Sequence, residues 1–257
     1  AGGLVGHLLE CGLYVTGGAY VDPAYGKLAD GLDNLSLPIA DVREDGSGIL
    51  TKVPGTGGLV TTDTTKEQIL HEIHDPTKYM SPDVVIDVSQ VQVRQVAKDE
   101  VEFWGARGRP ATPTYKVLVG VAEGWIAEGE VSFVGPAAVE KAEIAAETLS
   151  KRLSRLGVEF VDYRKDLIGV NSIHGPLSHR NGDPYEVRLR IAGRTVSREE
   201  AQLMADEAQD FWFGPMGGGG VRTSMRQVLA MYSALIPKDR VPVHVVYQER
   251  STRTVAV

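Results

Sequence analysis

Three groups of residues in this sequence have types and spacing suited to chemistry on a small molecule. His7, Glu10 and Cys11 form the first, in the run GHLLEC. On a helix, a spacing of three residues puts His7 and Glu10 on one face, where they would serve as an acid–base pair or as two ligands of a metal. Cys11 falls at the C-terminal end of that helix, where the dipole disfavours a thiolate, so it reads as a packed thiol rather than a nucleophile. The second group is His71, Glu72, His74 and Asp75, whose order HEIHD differs from the HExxH of helical zinc proteases. His74 and Asp75 read there as residues that cap and turn the chain, and no metal ligand is assigned. The third group is glycine-rich: Thr16-Gly17-Gly18, Lys52 followed by Thr56-Gly57-Gly58, and Gly217 to Gly220 running into Val221 and Arg222. Bare main-chain amides beside a helix start attract an anion, and Lys52 and Arg222 would add cations. The competing reading is that these glycines only let the chain bend, since the runs match neither a dinucleotide fingerprint nor a P-loop. Arg107 and Arg109, in GARGRP, would clamp an acidic substrate or simply stand in solvent. His174 and His179 read as surface loop residues.

These residues need elements to hold them. A short helix is expected over 4–10, closed by Gly12, followed by a strand over YVTGGAYVD that the glycine pair interrupts. Turn chemistry at Asp45-Gly46-Ser47-Gly48 predicts a hairpin whose second strand delivers Lys52. Thr64 to Glu67 has capping-box spacing ahead of Ile69, Leu70 and Ile73, and Asp75-Pro76 stops that helix. From Val84 to Val134 alternation takes over and predicts an antiparallel meander. A helix is expected from Gly135-Pro136 along Ala142, Ala145, Ala146, Leu149, Leu153 and Leu156 to Gly157, with VEFVDY as the next strand. Then come a strand at YEVRLRIAG and a capping box at Ser197 to Glu200. The box opens a helix that buries Leu203, Met204, Ala208, Phe211 and Trp212. A helix over MRQVLAMYSALI, stopped by Pro237, and a strand over VPVHVVYQE follow. The fold class is α+β: antiparallel or mixed sheets, helices packed on one face, and a strand-strand-helix-strand unit expected to recur. A glycine-loop segment over 1–82 and an α+β domain over 83–257 are the expected divisions.

Composition excludes several classes. With 257 residues, 42% hydrophobic and 24% charged, the chain is globular rather than disordered. A net charge of -7 with no basic face argues against nucleic acid as a partner. One cysteine closes no intrachain disulfide, so a reducing compartment, the cytoplasm, is expected. No apolar run reaches the roughly 20 residues that cross a bilayer, and the first one carries His7 and Glu10, so neither a membrane nor a signal peptide is expected.

Several runs taken together, in order, resemble the acyclic terpene utilisation AtuA family. They are GHLLECGLYVTGG (6–18), the long stretch over 38–76 from PIADV to HEIHDP, PDVVIDVS (82–89), GARGRPATPTYKV (105–117), IGVNSIHG (168–175) and GPMGGGGVR (214–222). The family is named for a gene cluster that degrades citronellol- and geraniol-type acids as coenzyme A thioesters. The resemblance implies a catabolic pathway context rather than a reaction; the leading reading of the residues within it is an enzyme or enzyme subunit acting on a small acidic acyl substrate, by proton transfer beside a carbonyl or by lyase chemistry. Family members are longer, which implies an oligomer or a complex with a chain that supplies an N-terminal α/β region. Tyr14 and Tyr20-Val21-Asp22 depart from the pattern and imply a different substrate. Carried over residue by residue, the site would comprise His7, Glu10, Thr16, Gly17, Gly18, Lys52, Thr56, Gly57, Gly58, Gly218, Gly219, Gly220 and Arg222. The resemblance assigns none of these a catalytic role; on the residues' own chemistry Glu10 would be the base and His7 would orient it, while the glycine turns, Lys52, Arg107 and Arg222 would hold the anion, and no cofactor is assigned. Two rivals stand beside this: a non-catalytic assembly subunit, and a metal-dependent hydrolase built on His71 and His74.

Overall fold

A computed structural model describes residues 1–178, 182–210 and 214–246. Four α-helices and three antiparallel sheets occur among these residues, in an α+β arrangement. The chain divides into two compact units, one of residues 1–116 with the described residues from Leu235 onward, the other of residues 117–234.

In the first unit, Leu4, His7 and Leu8 recur at three- and one-residue steps and bury one side of α1 (Gly2–Glu10). Gly3 lets that helix approach the Ile86 side chain, which a Cβ would strike. The strand expected over YVTGGAYVD is not formed. Residues 12–20 instead close a chain of tight turns, with Gly17 N–H donating to the Tyr14 carbonyl and Gly18 N–H to that of Leu13. The positive φ of Gly12 and Gly17, 54° and 101°, makes such turning possible and extension unfavourable. The predicted hairpin is present: β1 (Pro38–Val42) pairs antiparallel with β2 (Gly48–Lys52) about a turn in which Asp45 accepts from the Ser47 amide and hydroxyl. The cap of helix α2 (Thr62–Leu70) lies three residues before the expected one. Thr61 is its N-cap and shares reciprocal bonds with Thr64, which is buried inside the first turn, while Glu67 pairs with Lys27.

The alternating stretch after Val84 is divided among sheets rather than forming one meander. Strands β3 (Tyr79–Met80), β4 (Val84–Asp87) and β7 (Arg107–Pro110) make one sheet. Between β4 and β7 in sequence, β5 (Gln92–Ala97) and β6 (Glu100–Trp104) form a hairpin that joins the other sheet in the order β1-β2-β6-β5. Leu4, Leu8, Val15, Leu50, Val101 and Phe103 share the core beneath.

The second unit follows the order β8 (Thr114–Val134), α3 (Ala138–Arg155), β9 (Asp162–Ile168), β10 (Glu186–Thr195), α4 (Arg198–Gln209) and β11 (Gly218–Pro237). Its sheet order, β11-β8-β10-β9, places β10 antiparallel between β8 and β9, so β8-α3-β9 is a split β-α-β crossover and the pattern repeats through α4. Both helices pack on β10 and on each other. Val187, Leu189 and Ile191 face them, and the alternate residues Arg188 and Arg190 lie on the other side, paired with Glu130, Glu128 and Asp166.

Three further expectations change here. Residues 225–236 are part of β11, not a helix, because β8 offers a continuous ladder that local spacing does not reveal. The strand expected at VEFVDY starts only at Asp162. Residues 241–246 of the expected last strand form none, and the remainder of it, like Phe211, Trp212 and His179, lies outside the described residues. No helix among the described residues is long and apolar enough to cross a membrane.

Candidate functional site

The packing of α1 against α2 brings the first two sequence groups together. His7 lies on the inner side of α1 and is 5% exposed. Its Nδ1 stands 3.6 Å from Oε2 of Glu10, whose side chain is 59% exposed, so the pair runs from core to solvent. From α2, the fully buried Gln68 donates through Nε2 to the His7 carbonyl at 2.6 Å. From β3, the Tyr79 ring lies 5.1 Å from the His7 ring at an interplanar angle of 54°. Just past α2 the chain turns at Glu72, which holds a left-handed φ of 56°, and His71 is set 4.6 Å from the Tyr14 ring and 3.8 Å from a Glu72 carboxylate oxygen.

Three polar atoms in this cluster are buried with no hydrogen-bond partner among the described residues: both ring nitrogens of His7 and Oε1 of Gln68. Such atoms cost about 1–3 kcal/mol each when left unpaired, and three of them lie together here. The ionisation of Tyr79 is displaced by its surroundings. Burial foremost, then the negative charges of Glu10 and Glu72, push its phenol above its ordinary value, so at neutral pH it is a hydroxyl donor. The arrangement thus offers an exposed carboxylate, an imidazole behind it and a protonated phenol beside it.

The glycine turns serve another purpose. Thr16-Gly17-Gly18 and Thr56-Gly57-Gly58 do meet, but they close on one another. Leu59 N–H donates to the Thr16 carbonyl at 3.1 Å, and a Cβ on Gly58 would collide with that same oxygen. Gly57 N–H donates to Asn34 at 2.9 Å and Gly58 N–H to Asp30 at 2.7 Å, while the Thr56 amide is spent on Val53. With the amides of Gly17 and Gly18 also bonded to carbonyls, all four glycine amides of the expected anion cradle are spent inside the fold. Lys52 is buried: its Nζ donates to the Thr56 carbonyl at 2.6 Å and lies 3.7 Å from Asp99. Arg107 is exposed at the start of β7, and Arg109 binds Asp87.

In the second unit, Gly218, Gly219 and Gly220 open a strand, so no helix dipole stands behind them, and Arg222 is exposed on β11. The run borders an open cavity of about 530 Å³ with Val131 and Gln209. Among the described residues no three His, Cys, Asp or Glu side chains are grouped to hold a metal ion; His74 is exposed, and Asp75 folds back to accept from Thr77. Gln68 and Tyr79 escaped the sequence analysis, because only the meeting of α1, α2 and β3 brings them to His7.

The fold and the cluster define a two-unit α+β protein with a buried histidine beside an exposed carboxylate in one unit and a split β-α-β unit in the other. The chain belongs to the acyclic terpene utilisation AtuA family, whose model matches residues 1–247. No curated protein and no solved structure matches it.

Proposed function

We propose that the chain is a catabolic enzyme, or a subunit of one, that moves a proton beside the carbonyl of a small acidic acyl substrate of the branched kind the family's name points to. The observation that carries the reading is His7: buried, unsatisfied at both ring nitrogens, and 3.6 Å from an exposed carboxylate. The Glu10 carboxylate takes the proton from the carbon next to the carbonyl, and the electron pair moves toward the carbonyl oxygen. The Tyr79 hydroxyl donates a hydrogen bond to that oxygen as charge develops, and His7 orients Glu10 from behind. Loss of a β-hydroxyl as water would complete a hydro-lyase reaction, the hydroxyl leaving with a proton returned by the same carboxyl group.

Glu10→Gln tests this. Turnover of branched acyl thioesters is expected to fall by about 10²–10⁴-fold, with an unchanged melting midpoint because the side chain stands in solvent. Undiminished turnover in the folded variant removes Glu10 from the chemistry.

A second reading, a non-catalytic assembly subunit, is favoured by apolar side chains exposed on the second unit's long strands: Leu118 at 59%, Leu229 at 66% and Met231 at 57%. A monomer with a cooperative melt at micromolar concentration would count against it.

A further inference from the structure

Beside the cluster, in the same unit, α2 and β5 enclose an open groove of about 590 Å³. Its lining is mostly aliphatic: Ile69 and Leu70 from α2, Val88 and Val91 from the segment after β4, and Val93 from β5. Leu70 is 59% exposed although its neighbours on the groove floor, Ile69 and Val88, are nearly buried, so the groove presents apolar surface to solvent. One cation stands in the lining, Lys66, and it makes no ion pair among the described residues. The volume falls within the roughly 300–1,000 Å³ typical of small-molecule sites.

The groove and the cluster share the same stretch of chain. Leu70 lines the groove and His71, the next residue, packs on Tyr14; Pro76 lines the groove and Tyr79 packs on His7 three residues later. Lys66 stands one helical turn before Leu70, which is about 6 Å along the axis. An occupant that lay along α2 would therefore have an aliphatic middle, a negative group at the Lys66 end and its reacting end toward His71.

We infer that this groove seats the substrate's chain, a methyl-branched aliphatic acyl group whose carboxylate, remote from the reacting carbonyl, pairs with Lys66. The inference rests on the proton-transfer reading for the direction in which the chain lies. Apolar lining supplies most of the affinity, because each CH₂ it covers is removed from water. The unpaired ammonium supplies discrimination between an acid and a neutral chain of the same shape.

The test is calorimetric titration of the whole chain with a methyl-branched ten-carbon carboxylate and with the corresponding alcohol. The carboxylate is expected to bind at least tenfold more tightly. Lys66→Gln should bring its affinity down to that of the alcohol, and Val91→Trp, which fills the groove, should abolish binding of both. If Val91→Trp fails to fold, Leu70→Glu at an exposed position places a repelling charge in the same groove and should abolish carboxylate binding. Absence of binding to the parent chain, equal affinity for acid and alcohol, or binding untouched by Lys66→Gln each overturns the inference. Glu10→Gln separates it from the catalytic reading: Lys66-dependent binding alongside turnover that ignores Glu10→Gln leaves the groove standing and the base assignment refuted. Glu10-dependent turnover without groove binding does the reverse.

Discussion

Lys52 was legible as a cation entering a glycine-rich turn, and it does enter one, but with 7% of its side chain exposed it faces the protein rather than a ligand. Its Nζ satisfies the Thr56 carbonyl at the tip of the turn and is balanced by Asp99, which in turn accepts from the Val60 amide. A methionine there would keep the aliphatic stem and leave a buried carbonyl and carboxylate short of a donor. Lys52→Met is expected to cost about 1.5–3 kcal/mol of stability, read as a lower denaturant midpoint, with the KM for the proposed turnover of acyl thioesters unchanged. A raised KM with unchanged stability would restore the anion-binding role. Glu10 belongs to the opposite class: exposed, weakly held and near unsatisfied atoms, it is where substitution should alter rate before stability.

At the scale of elements, local signals succeed where the partner is also local. Ser197 and Glu200 form the reciprocal cap that their spacing predicts, with the Ser197 hydroxyl accepting from the Glu200 amide and the carboxylate returning to Ser197. Serine bonds and a donor from Glu159 hold that carboxylate below its ordinary value. Ser197→Ala removes the hydroxyl that accepts from the Glu200 amide and donates to its carboxylate, leaving the backbone Ser197 N–H bond to that carboxylate in place, and is expected to cost about 1 kcal/mol, measurable in a chemical denaturation series; an effect near zero would mean that the remaining backbone bond and the packing of Ala201, Met204 and Ala208 hold the helix start. The other box is displaced, since Thr61 rather than Thr64 begins α2. Two threonines three apart satisfy the same geometry as the threonine–glutamate pair, and burial of Thr64 decides between them. Residues 225–236 show the limit: apolar positions there fit a helical spacing and an irregular alternation equally, and only β8 chooses.

For the whole molecule, each unit has its own core, and in the second unit that core imposes a pH dependence. Tyr163 on β9 is pushed above 10.0 by burial, which a hydrogen bond with Ser150 on α3 offsets only in part. In the unfolded chain the phenol ionises near its ordinary value while in the fold it stays protonated, so its contribution is fully present below about pH 10 and is lost as the pH rises through the folded value. Denaturant midpoints measured from pH 8 upward should therefore fall on the alkaline side, and Tyr163→Phe should flatten that fall. An equal decline in parent and variant would place the alkaline sensitivity elsewhere.

The sequence by itself determined the helices α1, α3 and α4 and the hairpin of β1 and β2, since their caps, turn residues and apolar spacing act over a few residues. It also singled out His7, Glu10, His71 and Glu72 by type, and the family by the order of its motifs. The tertiary structure decided that the last long apolar segment is a strand, that alternating strands separate into different sheets, and that the two Thr-Gly-Gly turns grip each other. It also put His7 beside Gln68 and Tyr79. Each of these depends on which distant segment supplies a hydrogen-bond acceptor or a packing surface, and that free energy is absent from any local window of the chain.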